Sequence, residues 1–247
     1  MAVKHYRAVV LVAAAAVAAP FAATGGGAAY ASGRPALANE SGNPYFPLVV
    51  GSTWRYRDVG GPTGGSTFAI HVVGAQKTAA GEAVQVRDTM GTATVTDRYV
   101  IGANGAIDIE VAAGKGAAST TVSADGRYFI PSASQVASCH PCAFTTAFTI
   151  AGPGGTLKEH MAETATSAGV QTVHVPAGTF QAEKLDLVVK ITSVTAVVSS
   201  TGTASYAVYL VKGTGMVETS AGSVTASVMG HTFKEPISEA ELLAYTP

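Results

Sequence analysis

The chain has 247 residues, of which 15 are basic and 16 acidic, so its formal net charge at pH 7 is −1. This balance gives no basic footprint for nucleic acid or for an anionic lipid surface. Only 13% of the residues are charged, and Val, Thr, Ala, Ser and Gly dominate. Such a composition favours short strands joined by tight turns over long helices.

Residues 1–31 have the three parts of a secretory signal peptide. Lys4 and Arg7 give a positive start, an apolar run follows to about Ala23, and Ala29-Tyr30-Ala31 offers small residues to a signal peptidase. The alternative is a membrane anchor, but a spanning helix needs about 20 strongly apolar residues, and this run is shorter and mostly alanine. We therefore predict cleavage after Ala31, no stable membrane anchor, and a secreted, extracytoplasmic mature protein.

Residues 32–42 are typical of a polar, flexible lead-in, and residues 43–247 of a single β domain. Stretches in which apolar and polar residues alternate recur along this domain, separated by turn residues, as in strands that bury one face. We expect an all-β fold with about ten strands in a curved antiparallel sheet.

The C-terminal segment is typical of a short helix. Ser238 is a good N-cap, and Glu239 and Glu241 favour the positive end of a helix. Leu242 and Leu243 then supply one turn of apolar surface with which the helix can dock.

Two pairs of short segments indicate an internal repeat. GPTGGST at 61–67 is echoed by GPGGTL at 152–157, and the aromatic-to-glycine pattern at 99–107 is echoed at 209–217. The offsets, about 90 and 110 residues, place extra residues in a longer hairpin of the second copy. Two duplicated β-meanders in one sheet explain the pattern, and chance similarity of Gly- and Val-rich segments is the alternative.

Three motifs occur in order: YFPL with G..W.Y at 45–56, VPAGTF at 175–180, and Y…G.GMV at 209–217. Together they resemble a largely uncharacterised group of exported bacterial proteins, similar to lipoprotein carriers whose sheet curls into a half-barrel. The resemblance covers about residues 43–222 and implies a half-barrel-like fold but no particular activity. In mid-chain, FIPSASQVASCHPCAF at 129–144 replaces a second PL..G..W element that members often carry.

The motif residues also have a structural interpretation that needs no family. Pro47 and Gly51 set a turn, after which Trp54 and Tyr56 enter the core from one strand face. In VPAGTF at 175–180 a tight turn sets the register of the next strand, and its phenylalanine covers one end of the sheet.

Cys139 and Cys142 are the only cysteines, and three interpretations are open for them. A redox pair needs its first cysteine at a helix N-terminus, whereas AFTTAFTI after Cys142 is typical of a strand. A metal site needs further ligands, which spacing alone does not bring together. A plain disulfide suits an exported chain, and it is the interpretation that we adopt. The other potential metal ligands are His71, His140, His160, His174, His231, Glu159 and Glu163.

Signatures of hydrolases and nucleotide-binding enzymes are missing from the sequence, which has no G-x-S-x-G, no H-E-x-x-H and no P-loop. Asp108 and Glu110 are the nearest pair of carboxylates on one strand face, a pattern more typical of a solvated edge than of an acid–base pair. We therefore expect a non-catalytic protein without a cofactor.

The clearest strand, residues 184–191, supports a binding hypothesis. Leu242 and Leu243 offer too little surface to cover its apolar face, so we expect a partly open groove that takes an apolar small molecule or lipid. The leading hypothesis is a carrier, and a structural envelope module with a filled core is the alternative. The predicted ligand-binding residues, which share one face of this strand, are Leu185, Leu187, Val189 and Ile191.

Overall fold

The computed structural model describes residues 43–60, 64–78, 81–91, 93–102, 107–111, 119–122, 132–152, 155–195 and 199–247. Fourteen strands and one short helix lie within these ranges, and every strand belongs to one antiparallel sheet. The expected signal peptide and lead-in, residues 1–42, lie outside the described residues.

The strands are, in chain order, β1 (Thr53–Val59), β2 (Thr67–Thr78), β3 (Gly81–Met90), β4 (Ala93–Ile101), β5 (Ile107–Val111), β6 (Ser119–Val122), β7 (Cys142–Gly152), β8 (Gly155–Val175), β9 (Gly178–Val194), β10 (Ser199–Val211), β11 (Gly215–Thr219), β12 (Gly222–Val228), β13 (His231–Ile237) and β14 (Glu239–Thr246). The helix, α1 (Ala133–Ser138), lies between β6 and β7.

The strand order shows two meanders joined in one curved sheet. It runs β5-β4-β3-β2-β1, then β14, then β11-β10-β9-β8-β7-β6. No ladder between described strands joins β5 to β6, so the sheet is open. In the first meander, the repeated segments connect β1 to β2 and β4 to β5. In the second meander, they connect the equivalent strands, β7 to β8 and β10 to β11. The all-β expectation is confirmed, and the longer hairpin of the second meander is β8–β9, with strands of 21 and 17 residues against 12 and 10 in β2–β3.

The prediction of a C-terminal helix is wrong. Residues Glu239–Thr246 form β14, which pairs with β1 on one side and with β11 on the other, and so links the two meanders. Buried Ala240 and Leu242 alternate with less buried Glu239 and Glu241, which is the period of a strand. Cap and charge preferences are each worth only about 1 kcal/mol or less, so backbone pairing on both sides outweighs them. The expected number of strands, about ten, was also too low.

Helix α1 lies in the segment that departs from the motif pattern. The Ser132 hydroxyl accepts a hydrogen bond from the Gln135 backbone N–H, and the Gln135 side chain accepts one from the Ser132 backbone N–H. This capping box satisfies two donors that the first turn leaves free. The helix therefore begins at a defined residue and presents the fully buried Val136 to the sheet.

The first and third motifs meet where the two meanders join. The Trp54 indole N–H donates to the Thr214 carbonyl at 2.5 Å, and the Tyr56 hydroxyl donates to the Met216 carbonyl at 2.8 Å. Gly215 has a φ of +96°, and a Cβ there would lie 3.3 Å from the Trp54 indole nitrogen. Glycine is therefore needed for both the backbone conformation and the close approach of the ring.

The second motif docks on the same joint. Its turn connects β8 to β9 at Gly178, and the Ala177 N–H donates to the Leu242 carbonyl of β14 at 3.0 Å. Phe180 packs against the apolar cluster that contains Trp54. The three motifs therefore hold the two meanders together, a structural role that the sequence interpretation of their residues did not include.

The long β8–β9 hairpin buries opposite faces at its tip and its base. Near the tip of the hairpin, the buried residue of β9 is the even-numbered Ala182. From Leu185 onward the buried residues of β9 have odd numbers, so they lie on the opposite face of the strand. A register shift between Ser167 and Val170 adds a residue to β8 at this point, where Gly169 has a φ of +78°. Because of this extra residue, the side chains of β8 that follow the bulge lie on the opposite face from the one that strict alternation would give them. The tip thus packs on the first meander, while the base packs on α1.

None of the helices in the described ranges has the length and apolar character that crossing a membrane requires.

Candidate ligand-binding face

The four predicted ligand-binding residues lie on one side of β9, together with their register partners on β8 and β10. We call this surface the β9 face. Register pairs Leu187 with Ala165 and Tyr206, and Val189 with Glu163 and Ala204. The residues of the predicted set, Leu185, Leu187, Val189 and Ile191, are between 1% and 6% exposed.

The chain itself covers the half of the β9 face that carries Leu185 and Leu187. These residues pack in one cluster with Val136 of α1, Cys139 and Tyr45. Val136 and Cys139 are both 0% exposed. The Ser167 N–H at the bulge donates to the Cys139 carbonyl at 2.8 Å and holds the segment in place. The covering element is therefore α1 and the loop that follows it.

The expected disulfide is confirmed and belongs to this cover. Cys139 and Cys142 are bonded, with their Cα atoms 4.8 Å apart. Cys139 is the C-cap of α1, so it lies at the negative end of the helix dipole, where a thiolate is not stabilised. The arrangement favours a local staple over a redox centre of the thioredoxin kind.

The other half of the β9 face is a second apolar cluster. It contains Val189 and Ile191 together with Met161, Ala204 and Val224. β12 contributes to it because β10 pairs with β12 along its first half and with β11 along its second half.

A carboxyl and a phenol lie at the boundary between the two clusters. Glu163 lies between Met161 of one cluster and Ala165 of the other along β8, and Tyr206 of β10 packs against both clusters. The Tyr206 hydroxyl is buried, and no residue within the described ranges gives it a hydrogen bond. A buried hydroxyl without a partner costs about 1–3 kcal/mol.

The surroundings also shift both pKa values. Burial raises the pKa of Glu163 from 4.5 to about 7. Burial, and after it the nearby Glu163 charge, raises the pKa of Tyr206 well above 10. Near neutral pH the Glu163 carboxyl is therefore protonated in a large fraction of molecules, and as a neutral acid it both donates and accepts hydrogen bonds.

The residues considered for a metal site are not brought together. His71 shares a 2.7 Å hydrogen bond with Thr53, and His174 shares one of 2.9 Å with Thr179. His160 and His231 are exposed on separate strands, β8 and β13. Among the residues that the structure describes, no group of three His, Cys, Asp or Glu side chains is placed to hold a metal ion.

Sequence reasoning named Glu163 only as a potential metal ligand beside His160, and it gave Tyr206 no functional role. The signal that could have identified Glu163 is the alternation in MAETA at 161–165, which places it on the face of Met161 and Ala165. Asp108 and Glu110, the pair set aside as a solvated edge, lie on β5 at one end of the strand order.

Comparison with known proteins gives a distant likeness of fold. No protein-family model matches the chain, and no curated protein matches it. Two solved structures resemble it with a TM-score of 0.49 each, and in both cases the match covers 82% of this chain and 98% of the other. One is a proposed exported protein with a YmcC-like fold from Bacteroides fragilis, 13% identical, and the other a proposed lipoprotein from Parabacteroides distasonis, 14% identical. A likeness at this level carries no information about ligand or function.

Proposed function

We propose that this protein is an exported, non-catalytic carrier or binding module, and that its ligand is a molecule with an apolar body which occupies the β9 face. The observation that carries the proposal is the unpartnered Tyr206 hydroxyl, which lies on the same face of the sheet as Glu163 and packs against two apolar clusters. An unpaired buried hydroxyl costs stability, so a ligand group that pairs with it offsets that cost. A ligand that enters at this boundary gains apolar contact and finds hydrogen-bonding groups.

Two features support an extracytoplasmic location. Residues 1–31 have the arrangement of a signal peptide. The Cys139–Cys142 disulfide suits an oxidising compartment, because cytosolic thiols are kept reduced.

A structural envelope module without a ligand is the second candidate. The observation that favours it is the burial of Leu185, Leu187, Val189 and Ile191, none of which is more than 6% exposed. In that case the β9 face is a filled core with α1 as its lid, and the protein binds partners through its outer surface.

The two candidates differ in whether wild-type protein takes up an amphiphile. We expect native mass spectrometry of protein purified from its own source to show a bound lipid-like mass, and Nile red to bind the emptied protein at micromolar concentration. Absence of both results would leave the structural module as the function.

A matched pair of variants locates the uptake. Leu187→Asp places a charge on the β9 face and should abolish dye binding and reduce stability. Val188→Asp changes the next residue, which is 38% exposed on the opposite face, and should leave both properties near wild type. Equal loss of dye binding in the two variants would place the ligand elsewhere.

A further inference from the structure

We infer that Glu163 and Tyr206 form a head-group site that selects an amphiphile with a neutral hydroxyl or amide head and rejects one with a carboxylate head. The inference rests on the proposed function and names the class of ligand. Two observations support it: register places no cation beside Glu163 on this face, and the Tyr206 hydroxyl has no hydrogen-bond partner among the described residues.

Apolar residues flank Glu163 along its own strand and across the sheet. Along β8, Glu163 is flanked on its face by Met161 and Ala165, and across the sheet its register partner is Val189 on β9. Register places no Lys, Arg or His of the described residues beside it on this face, since Lys190 and His160 alternate to the other side.

Among the other charged or titratable groups on this side, His140 is exposed in the loop that follows α1, and the rest lie further along the sheet. Glu183 lies beyond Leu185 at the bulge, where its carboxylate accepts from the Ser167 hydroxyl. Glu235 and His231 are exposed on β13, four strands away from β8 along the pairing order. Lys212 lies over the Tyr45 ring, 5.6 Å from its centroid, at the turn after β10. A carboxylate head beside Glu163 would therefore meet no compensating cation among these groups.

A neutral head fits what the pair offers. A hydroxyl or amide head can accept a hydrogen bond from the Tyr206 phenol and can donate one to a Glu163 oxygen. The phenol then has a hydrogen-bond partner, which it otherwise lacks. A carboxylate head would add a second negative charge next to Glu163 once that residue ionises, and like charges in apolar surroundings disfavour each other strongly. An ammonium head would require a buried ion pair, whose desolvation cost offsets much of its attraction.

Competition against Nile red tests the inference with three ligands of equal chain length: decanol, decanoate and decylamine. At pH 8 we expect decanol to displace the dye at about a tenth of the decanoate concentration or less. Between pH 8 and pH 6 decanoate should gain affinity, because burial raises the pKa of Glu163 to about 7 and the group is protonated at the lower pH. Decanol should change little over the same range.

Two near-isosteric variants separate the roles of the pair. Glu163→Gln should remove the pH dependence of decanoate binding, and Tyr206→Phe should weaken decanol by about three- to tenfold once each variant's own Nile red affinity is taken into account. Circular dichroism checks that both are folded, and the wild-type pH series needs no variant.

The outcomes are distinct from those that test the proposed function. Equal affinity for decanol and decanoate at pH 8, or tighter binding of decylamine than of decanol, would overturn the inference while the carrier function stands. Failure of Nile red to bind at all would remove the proposed function itself.

Discussion

Glu163 makes the stability of the fold depend on pH, because its carboxyl lies among apolar side chains. Burial raises its pKa from 4.5 to about 7. Between these values the folded state binds more protons than the unfolded state, so the free energy of unfolding falls as pH rises and levels off above about pH 7. A shift of this size corresponds to about 3 kcal/mol.

Glu163→Gln should therefore stabilise the protein at pH 8 and give little gain at pH 4, where the wild-type carboxyl is protonated in both states. We expect a gain on the order of 1–3 kcal/mol at pH 8, measured by urea unfolding at the two pH values. Glu235→Gln, at an exposed position on β13, is the control and should shift neither value. A gain of equal size at both pH values would contradict the burial argument.

Gly222 and Gly202 test whether close approach of the backbone limits side-chain size in β10 and β12. A Cβ at Gly222 of β12 would overlap the Ser205 carbonyl oxygen and lie 2.9 Å from the Tyr206 Cβ. Gly222→Ala should therefore cost about 1–3 kcal/mol by overpacking. A Cβ at Gly202 of β10 would meet nothing closer than 3.6 Å, so Gly202→Ala should be near neutral. Urea unfolding of both variants checks this, and equal costs would show that close approach is not the cause.

Helix α1 and its disulfide are a local cover for the base of the long hairpin. The loop between Cys139 and Cys142 closes over only four residues, so the disulfide removes little chain entropy, about 2 kcal/mol. Reduction should lower the melting temperature by a few degrees and leave the sheet folded. Calorimetry with and without reductant checks this, and loss of all β-sheet signal on reduction would show that the staple is required for folding.

Sequence patterns predicted the elements unevenly, for physical reasons. The strand 184–191 was clear because its apolar residues alternate with polar ones except at Val188. The turn of VPAGTF was clear because Pro fixes φ and Gly permits a positive φ, which is +143° at Gly178. The C-terminal segment was assigned to a helix because Ser238 and Glu239 give local signals, whereas the backbone pairing of β14 with β1 and β11 is not visible locally. Glu163 and Tyr206 are 43 positions apart in the chain, so only the register of β8 to β10 shows that they belong to one site.

At the scale of the molecule, the N-terminal residues predict the location of the protein. If residues 1–31 are a signal peptide, N-terminal sequencing of the secreted protein should begin at or near Ser32. The measurement needs only the extracellular fraction of a producing strain. Recovery of chains that still begin with Met1 in the membrane fraction would contradict cleavage.

The two meanders should unfold together, because the contacts that join them lie at the centre of the sheet. β14 pairs with both, and Trp54 of the first meander donates to Thr214 of the second. Trp54 is the only tryptophan and is 4% exposed, so its fluorescence reports on this joint. In urea, the Trp54 emission and far-UV circular dichroism should therefore share one midpoint, as two-state unfolding requires.

Truncation at the joint tests this cooperativity. Leu242 is 0% exposed on β14, and Leu242→Ala should cost about 2–5 kcal/mol and lower both midpoints equally. Leu243 is the extra residue of the bulge in β14 and is less buried, so Leu243→Ala is the matched control and should cost less. If the fluorescence midpoint of Leu242→Ala fell while most of the dichroism signal persisted to the wild-type midpoint, the meanders would be separate folding units, and the single β domain predicted for residues 43–247 would have to be divided at β14.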